Sequence, residues 1–210
     1  MKWIERFTAS VERNAKSKIA EQVTRGAKDV PVGSTKKIRR EQSDWIASAL
    51  NTLDALADEP TRTKILVETC PHTYPKARIK EMKKKFSELG SIDRLLEFMR
   101  LDTSWRGGSY YGYIRRDGVW IHITKVPYNP EGYEAASTVE GKMKAYCHCS
   151  IAKSNFHRMP STFCCCAGGW EKQHWEGILE TQLEVVLSES LLKGDSKCTH
   201  SFRIPDGLTL

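Results

Sequence analysis

The chain has 210 residues, of which 40% are hydrophobic and 28% charged, the balance of a soluble globular protein long enough to bury a core without disulfides. No apolar run approaches the roughly 20 residues of a membrane span, and the opening MKWIERFTASVER has no continuous apolar stretch, so neither membrane insertion nor a secretory leader is expected. The net charge of +7 lies in residues 1–100, with 21 Lys/Arg against 14 Asp/Glu, while residues 101–210 carry 12 of each.

The basic excess sits in short runs such as Lys36-Lys37-Ile38-Arg39-Arg40 and Lys80 to Lys85. Without interleaved aromatics these read as solvated helix faces, and nucleic acid is not an expected partner. Residues 3–25 place Ile4, Phe7, Val11, Ala15, Ile19 and Val23 at steps of three or four, the stripe of one long helix. After a loop through Gly33, a second helix is predicted over Lys36 to Ala57, with Trp45, Ile46, Ala49, Leu50, Leu53 and Leu56 facing the core. A short helix opens at Pro60-Thr61 and runs to Cys70. The prolines of Cys70-Pro71-His72-Thr73-Tyr74-Pro75 interrupt it, and helices resume over Lys76–Leu89 and, behind a Ser91 N-cap, Ile92–Leu101.

The texture changes after Trp105. Ser109–Arg116 and Val119–Val126 are aromatic and β-branched about Asp117-Gly118, a type I′ hairpin signal. Trp120, His122 and Thr124 then share one face, and Ile121 and Ile123 the other. Pro127–Ser137 reads as a loop, Met143–Cys149 as a third strand, and Gly169–Glu180 as a helix with Trp170, His174, Gly177 and Ile178 along one side. A second hairpin follows: Leu183–Leu192, a Gly194-Asp195-Ser196 turn, and Lys197–Ile204, where Cys198, His200, Phe202 and Ile204 share a face. This is an α+β order: a helical half (1–100, a candidate dimerisation element), then an antiparallel sheet of two hairpins and a third strand with one inserted helix (101–210).

Seven cysteines without a leader imply reduced thiols and a cytoplasmic protein, and five of them fall in Cys147–Trp170. On a strand, Cys147 and Cys149 point the same way; with Cys164 and Cys165, fourteen residues on, they make a candidate thiolate set for zinc. Cys70, His72, His148 and His157 are spare donors. The rival use of the segment is nucleophilic. Cys165 and Cys166 precede a predicted helix start, whose dipole favours a thiolate. His174 lies roughly 12 Å along the helix from Cys166 and is too distant to be its base, which leaves His148, His122 and His200 as candidates. Cys166 with His148 is thus the catalytic pair to test. Cys198, His200, Trp170, His174 and His122 are candidates for the wall of a small-molecule pocket.

The run GWEKQHWEGILETQLEVVLSESLLKGDSKCTHSFRIP resembles the C-terminal part of the bacteriochlorophyll 4-vinyl reductase-like domains and of the L-2-amino-thiazoline-4-carboxylic acid hydrolase-like proteins, in the nitric-oxide-signalling/Golgi-transport ligand-binding superfamily. Tyr146-Cys147-His148-Cys149, Phe163–Cys166, Gly169-Trp170 and Gly194-Asp195 with Cys198 look like a bacterial family related to both, over about residues 140–205. The resemblance implies an antiparallel sheet packed by helices around a pocket, with Cys198 at the cysteine after the Gly-Asp turn and the other thiols serving a metal or the pocket. The expected function is a zinc site beside a small-ligand pocket. A cysteine- or zinc-assisted hydrolase of a small cyclic C–N or C–S substrate, and a homodimeric interaction module, are the alternatives.

Overall fold

A computed structural model of the chain describes residues 2–105 and 113–206. Six helices fill the first half: α1 (Lys2–Asn14), α2 (Ser17–Val23), α3 (Lys36–Leu56), α4 (Glu59–Thr69), α5 (Lys76–Leu89) and α6 (Ile92–Leu101). The periodic stripes are buried as their spacing requires, with Phe7, Val11, Val23, Ile46, Leu50 and Leu53 at 1% exposure or less. The single helix expected over residues 3–25 is broken in two. Asn14 turns its side-chain amide onto the Ser10 carbonyl at 2.9 Å and onto Glu68 at 2.9 Å, and the next turn gives way to extended backbone at Lys16. Leu56, expected in the core, is exposed where α3 ends.

In the second half, β1 (Ile114–Asp117), β2 (Trp120–Thr124), β3 (Val185–Glu189) and β4 (Thr199–Arg203) form one antiparallel sheet in the order β1-β2-β4-β3. The two predicted hairpins are therefore joined through their second strands. Residues 109–112 of the first predicted strand lie outside the described residues. Asp117 pairs with Trp120, so Gly118 and Val119 are the central residues of the turn. Only Gly118 has positive φ, +55°, which excludes the predicted type I′ turn.

Met143–Cys149 is not a third strand. Thr138 caps a helix there by accepting the Gly141 N–H, and α8 (Val139–Tyr146) buries Met143 and Tyr146 at helical spacing. A short helix α7 (Pro130–Ala135) occupies the predicted loop, and α9 (Ser150–Asn155) follows Cys149. The cysteine triplet lies in a 3-10 helix, Ser161–Ala167, which passes directly into α10 (Gly168–Leu179).

Two apolar cores flank this rod. One gathers α1–α4, α9 and Phe163 and Cys165 of the 3-10 helix. The other packs α5, α6 and α10, around the fully buried Trp175, against Ile121, Phe202 and Val185 of the sheet. Gly169 brings the rod close to α4: a Cβ there would sit 2.1 Å from the Val67 carbonyl oxygen and 2.6 Å from Cys70 Cβ. No helix among the described residues is long and apolar enough to cross a membrane.

Candidate functional site: a thiol centre

The cysteines come together where α4 ends, α8 gives way to α9, the 3-10 helix runs, and β4 begins. Cys198, one residue before β4, donates its N–H to Tyr146 Oη at 2.9 Å, which brings the strand to the residue preceding Cys147. The Cys198 carbonyl accepts the Lys125 N–H at 2.9 Å, extending the β2–β4 pairing by one residue, and Tyr146 Oη in turn donates to the Lys125 carbonyl. Two residues into β4, the His200 ring meets the Cys164 carbonyl through Nε2 at 3.1 Å. Ser190, fully buried, faces both Cys164 and Cys198. It is fixed by the turn: its N–H bonds Asp195 Oδ2 at 2.7 Å, and its hydroxyl accepts the Leu192 N–H. On the other side Cys70 packs on Gly169, and Cys166 has Cys149, Cys70 and Cys164 as neighbours.

All seven cysteines are unpaired thiols. Burial pushes the Cys147 thiol up to about 11, and the nearby Cys198 and Cys149 sulfurs push the same way. Burial likewise raises Cys164, Cys166, Cys198 and Cys70; Cys164 is opposed further by Cys198, and Cys166 by Cys149 and Cys70. At neutral pH these are neutral thiols. Lys125 is the recurrent cation, facing Cys70, Cys147, Cys164 and Cys198 as well as His200. Burial, with Lys125 second, holds His200 near pKa 3, an uncharged imidazole. Its Nδ1 has no hydrogen-bond partner among the described residues.

The donor set has the chemistry zinc prefers. Its sulfurs do not yet form a ligand shell, because among the described residues no three His, Cys, Asp or Glu are drawn together at metal-holding distance. The strand argument for Cys147 and Cys149 falls with the strand itself: they flank His148 in the α8–α9 connection. Cys165 separates from the others. Its thiol, raised by burial to about 11, sits among Lys193, Asp54 and Thr63. There it lines a cavity of about 80 Å³ with Arg62, Thr162 and Leu187. A larger cavity, about 310 Å³, lies between α2 and α3, lined by Gln22, Arg25, Trp45, Ser48 and Thr52, away from every predicted site residue.

The predicted nucleophile loses its activating feature. The Gly168 N–H at the start of α10 is taken by the Cys165 and Cys166 carbonyls, so the 3-10 helix caps the end that was expected to stabilise a thiolate. His148 Nε2 meets the Val126 carbonyl at 2.9 Å.

The five predicted pocket residues fall in three places. Cys198 and His200 belong to the thiol centre. His174 stacks on Tyr74 at a centroid distance of 4.2 Å and Trp170 packs against the same ring, tilted, at 4.5 Å, on the α5 side of α10. His122 lies on the outer sheet face, where its Nδ1 bonds Ser201 Oγ at 2.7 Å.

Lys125, Tyr146 and Ser190 were not singled out from the sequence. No signal in the sequence marks Lys125, because its place across from Cys198 depends on β2 pairing with β4. No known protein family, curated protein or solved structure matches this chain.

Proposed function

We propose that this protein binds a thiophilic metal ion through the thiol centre, with zinc the ion expected from the sequence. One observation carries this reading: six thiols from four separated stretches of chain come to one region of the fold, four of them, Cys70, Cys147, Cys164 and Cys198, facing Lys125. A metal ion makes thiolates stable where burial alone forbids them, and their deprotonation couples binding to proton release. Without the ion, neutral thiols pack as small apolar groups and have no reason to contract. Cys147, Cys149, Cys164, Cys166, Cys198 and Cys70 are the residues from which the ion would draw its ligands.

The hydrolase reading is the weaker one, because thiols raised by burial are poor nucleophiles at neutral pH. Elemental analysis of protein purified without added metal, together with a thiol titration, tests the metal reading. The expected result is about one thiophilic metal per chain with several of the seven thiols protected. Less than about 0.2 metal per chain with all seven thiols freely reactive would overturn it.

A further inference from the structure

We propose that the thiol centre holds its metal ion through nitrogen as well as sulfur, with His200 Nδ1 as the nitrogen ligand beside the Cys198 thiolate. This rests on the metal-binding reading above and adds to it a ligand of a different chemical kind. The tautomer is the first ground. His200 Nε2 lies 3.1 Å from the Cys164 carbonyl, an oxygen that only accepts, so Nε2 carries the proton and Nδ1 presents a lone pair. His200 is 2% exposed, and its Nδ1 is buried with no hydrogen-bond partner among the described residues. A buried polar atom without a partner is costly, and folded proteins keep few of them. A histidine that ligates a metal through one ring nitrogen almost always donates the other N–H to a carbonyl, a carboxylate or water, which fixes both ring and tautomer. In His200 the donating end is already held in that way.

Direction is the second ground. The Cδ2 edge of the ring faces the rod: a Cβ at Gly168 would meet His200 Cδ2 at 3.2 Å and Val185 Cγ1 at 3.1 Å. Val185 pairs with Phe202, and Leu187 with His200, so this edge leans along β4 toward Phe202. Nδ1, on the opposite edge, looks the other way along the strand, toward Cys198. The bond from the Lys125 N–H to the Cys198 carbonyl extends the strand pairing to that residue, so Cys198 and His200, two apart, stand on one face. Tyr146 Oη holds the Cys198 backbone from the side of Cys147, accepting its N–H at 2.9 Å. A thiolate and an imidazole projecting from one strand face are the donor types zinc takes. On binding, the Cys198 thiol gives its proton to solvent and forms the bond from sulfur, while His200 gives its Nδ1 lone pair and loses no proton.

The test uses the reduced full-length chain with nitrogen-15 in its histidines, observed by long-range proton–nitrogen correlation before and after zinc is added. X-ray absorption then counts sulfur and nitrogen at the ion. We expect His200 in the metal-free protein to show a protonated Nε2 and a bare Nδ1. Zinc should move Nδ1 into the metal-bound range and leave the Nε2 proton in place, with His122 unmoved. His200→Gln, whose amide can still donate to the Cys164 carbonyl, should remain folded by circular dichroism and lower zinc affinity about a hundredfold or more, measured against a chelating dye. Should that variant not fold, the wild-type nitrogen signals and the X-ray count still decide. Zinc held by sulfur alone with Nδ1 unmoved, or His200→Gln without effect on zinc affinity, overturns the nitrogen ligand and leaves the metal-binding reading standing. If another thiophilic ion is retained in place of zinc, the same nitrogen signals decide. Protein that retains no thiophilic ion overturns both.

Discussion

His174 shows how burial alone sets the chemistry of a side chain. It is fully buried, stacked on Tyr74 at 4.2 Å and 6°, and burial, with Arg78 second, brings its pKa down to about 3. In the unfolded chain the same imidazole titrates near about 6.5. Above that pH neither state holds the proton, and the histidine adds no pH dependence. Between about 6.5 and 3 the unfolded state takes the proton and the folded state does not, so stability falls by up to about 1.4 kcal/mol per pH unit. Urea unfolding at pH 7.0, 6.0 and 5.0 should show that decline, and His174→Gln should lessen it, the similarly buried His200 supplying a like share of what is left. Equal slopes in the two proteins would show that His174 is not held neutral. As a residue type His174 was legible in the sequence; its role was not. Placed beside Trp170 on one helix it looks like pocket wall, and only Tyr74, from the Pro71–Pro75 break about a hundred residues earlier, makes it part of an aromatic stack.

Among the elements, α10 and the 3-10 helix before it do most to place the thiols. Gly169 lets the rod approach α4 until Cys70 touches it, and Gly177 does the same against Ile79, where a Cβ would come within 2.4 Å of Cγ2. A methyl group at Gly169 meets a carbonyl oxygen, which cannot turn aside as a side chain does. Gly169→Ala should cost at least about 1–3 kcal/mol in urea unfolding and should change the rate at which Cys70 reacts with a thiol reagent. An unaltered midpoint and an unaltered Cys70 rate would mean the rod does not sit as described.

The helical elements were readable because their apolar stripes persist over several turns; the Ser91 cap expected for α6 makes no side-chain hydrogen bond to the helix, whereas Thr35 and Asp58, not singled out, cap α3 and α4. Met143–Cys149 misled because a seven-residue stretch satisfies either period, and the competing signal, Thr138 three residues before Gly141, is a single hydrogen bond. The hairpin turn was misplaced by one residue for a similar reason: strand register decides which pair is central, and register is set by Ile121 opposite Phe202 and Ile123 opposite His200 in the neighbouring strand.

For the molecule as a whole, the two cores interleave along the chain. Helices α5 and α6 belong with the sheet, while α9 and the 3-10 helix, far later in sequence, belong with α1–α4. The continuous rod of the 3-10 helix and α10 contributes Phe163 to one core and Trp175 to the other. Loss of either core removes a wall of the other, so unfolding should be a single transition. Tryptophan fluorescence and far-ultraviolet circular dichroism should give coincident urea curves, and two separated transitions would contradict that coupling. A fragment of residues 1–100 is expected not to hold a native fold by itself, since α5 and α6 would expose Met82, Leu95, Leu96 and Met99.

What the sequence determined by itself was local: which segments are helical, that hairpins follow, which strand face holds Cys198, His200, Phe202 and Ile204, and that the thiols mark the place to examine. These follow from periodicity and turn chemistry, which act over a few residues. Only the tertiary structure decided that the two hairpins join through β2 and β4, that Lys125 and Ser190 stand at the thiols, that Cys165 faces away from the others, and that Trp170 and His174 lie elsewhere. Each of these depends on which distant segments share a core, and that is fixed by the simultaneous packing of whole faces, with Gly169 against Val67 and His200 against Cys164 as its points of closest approach.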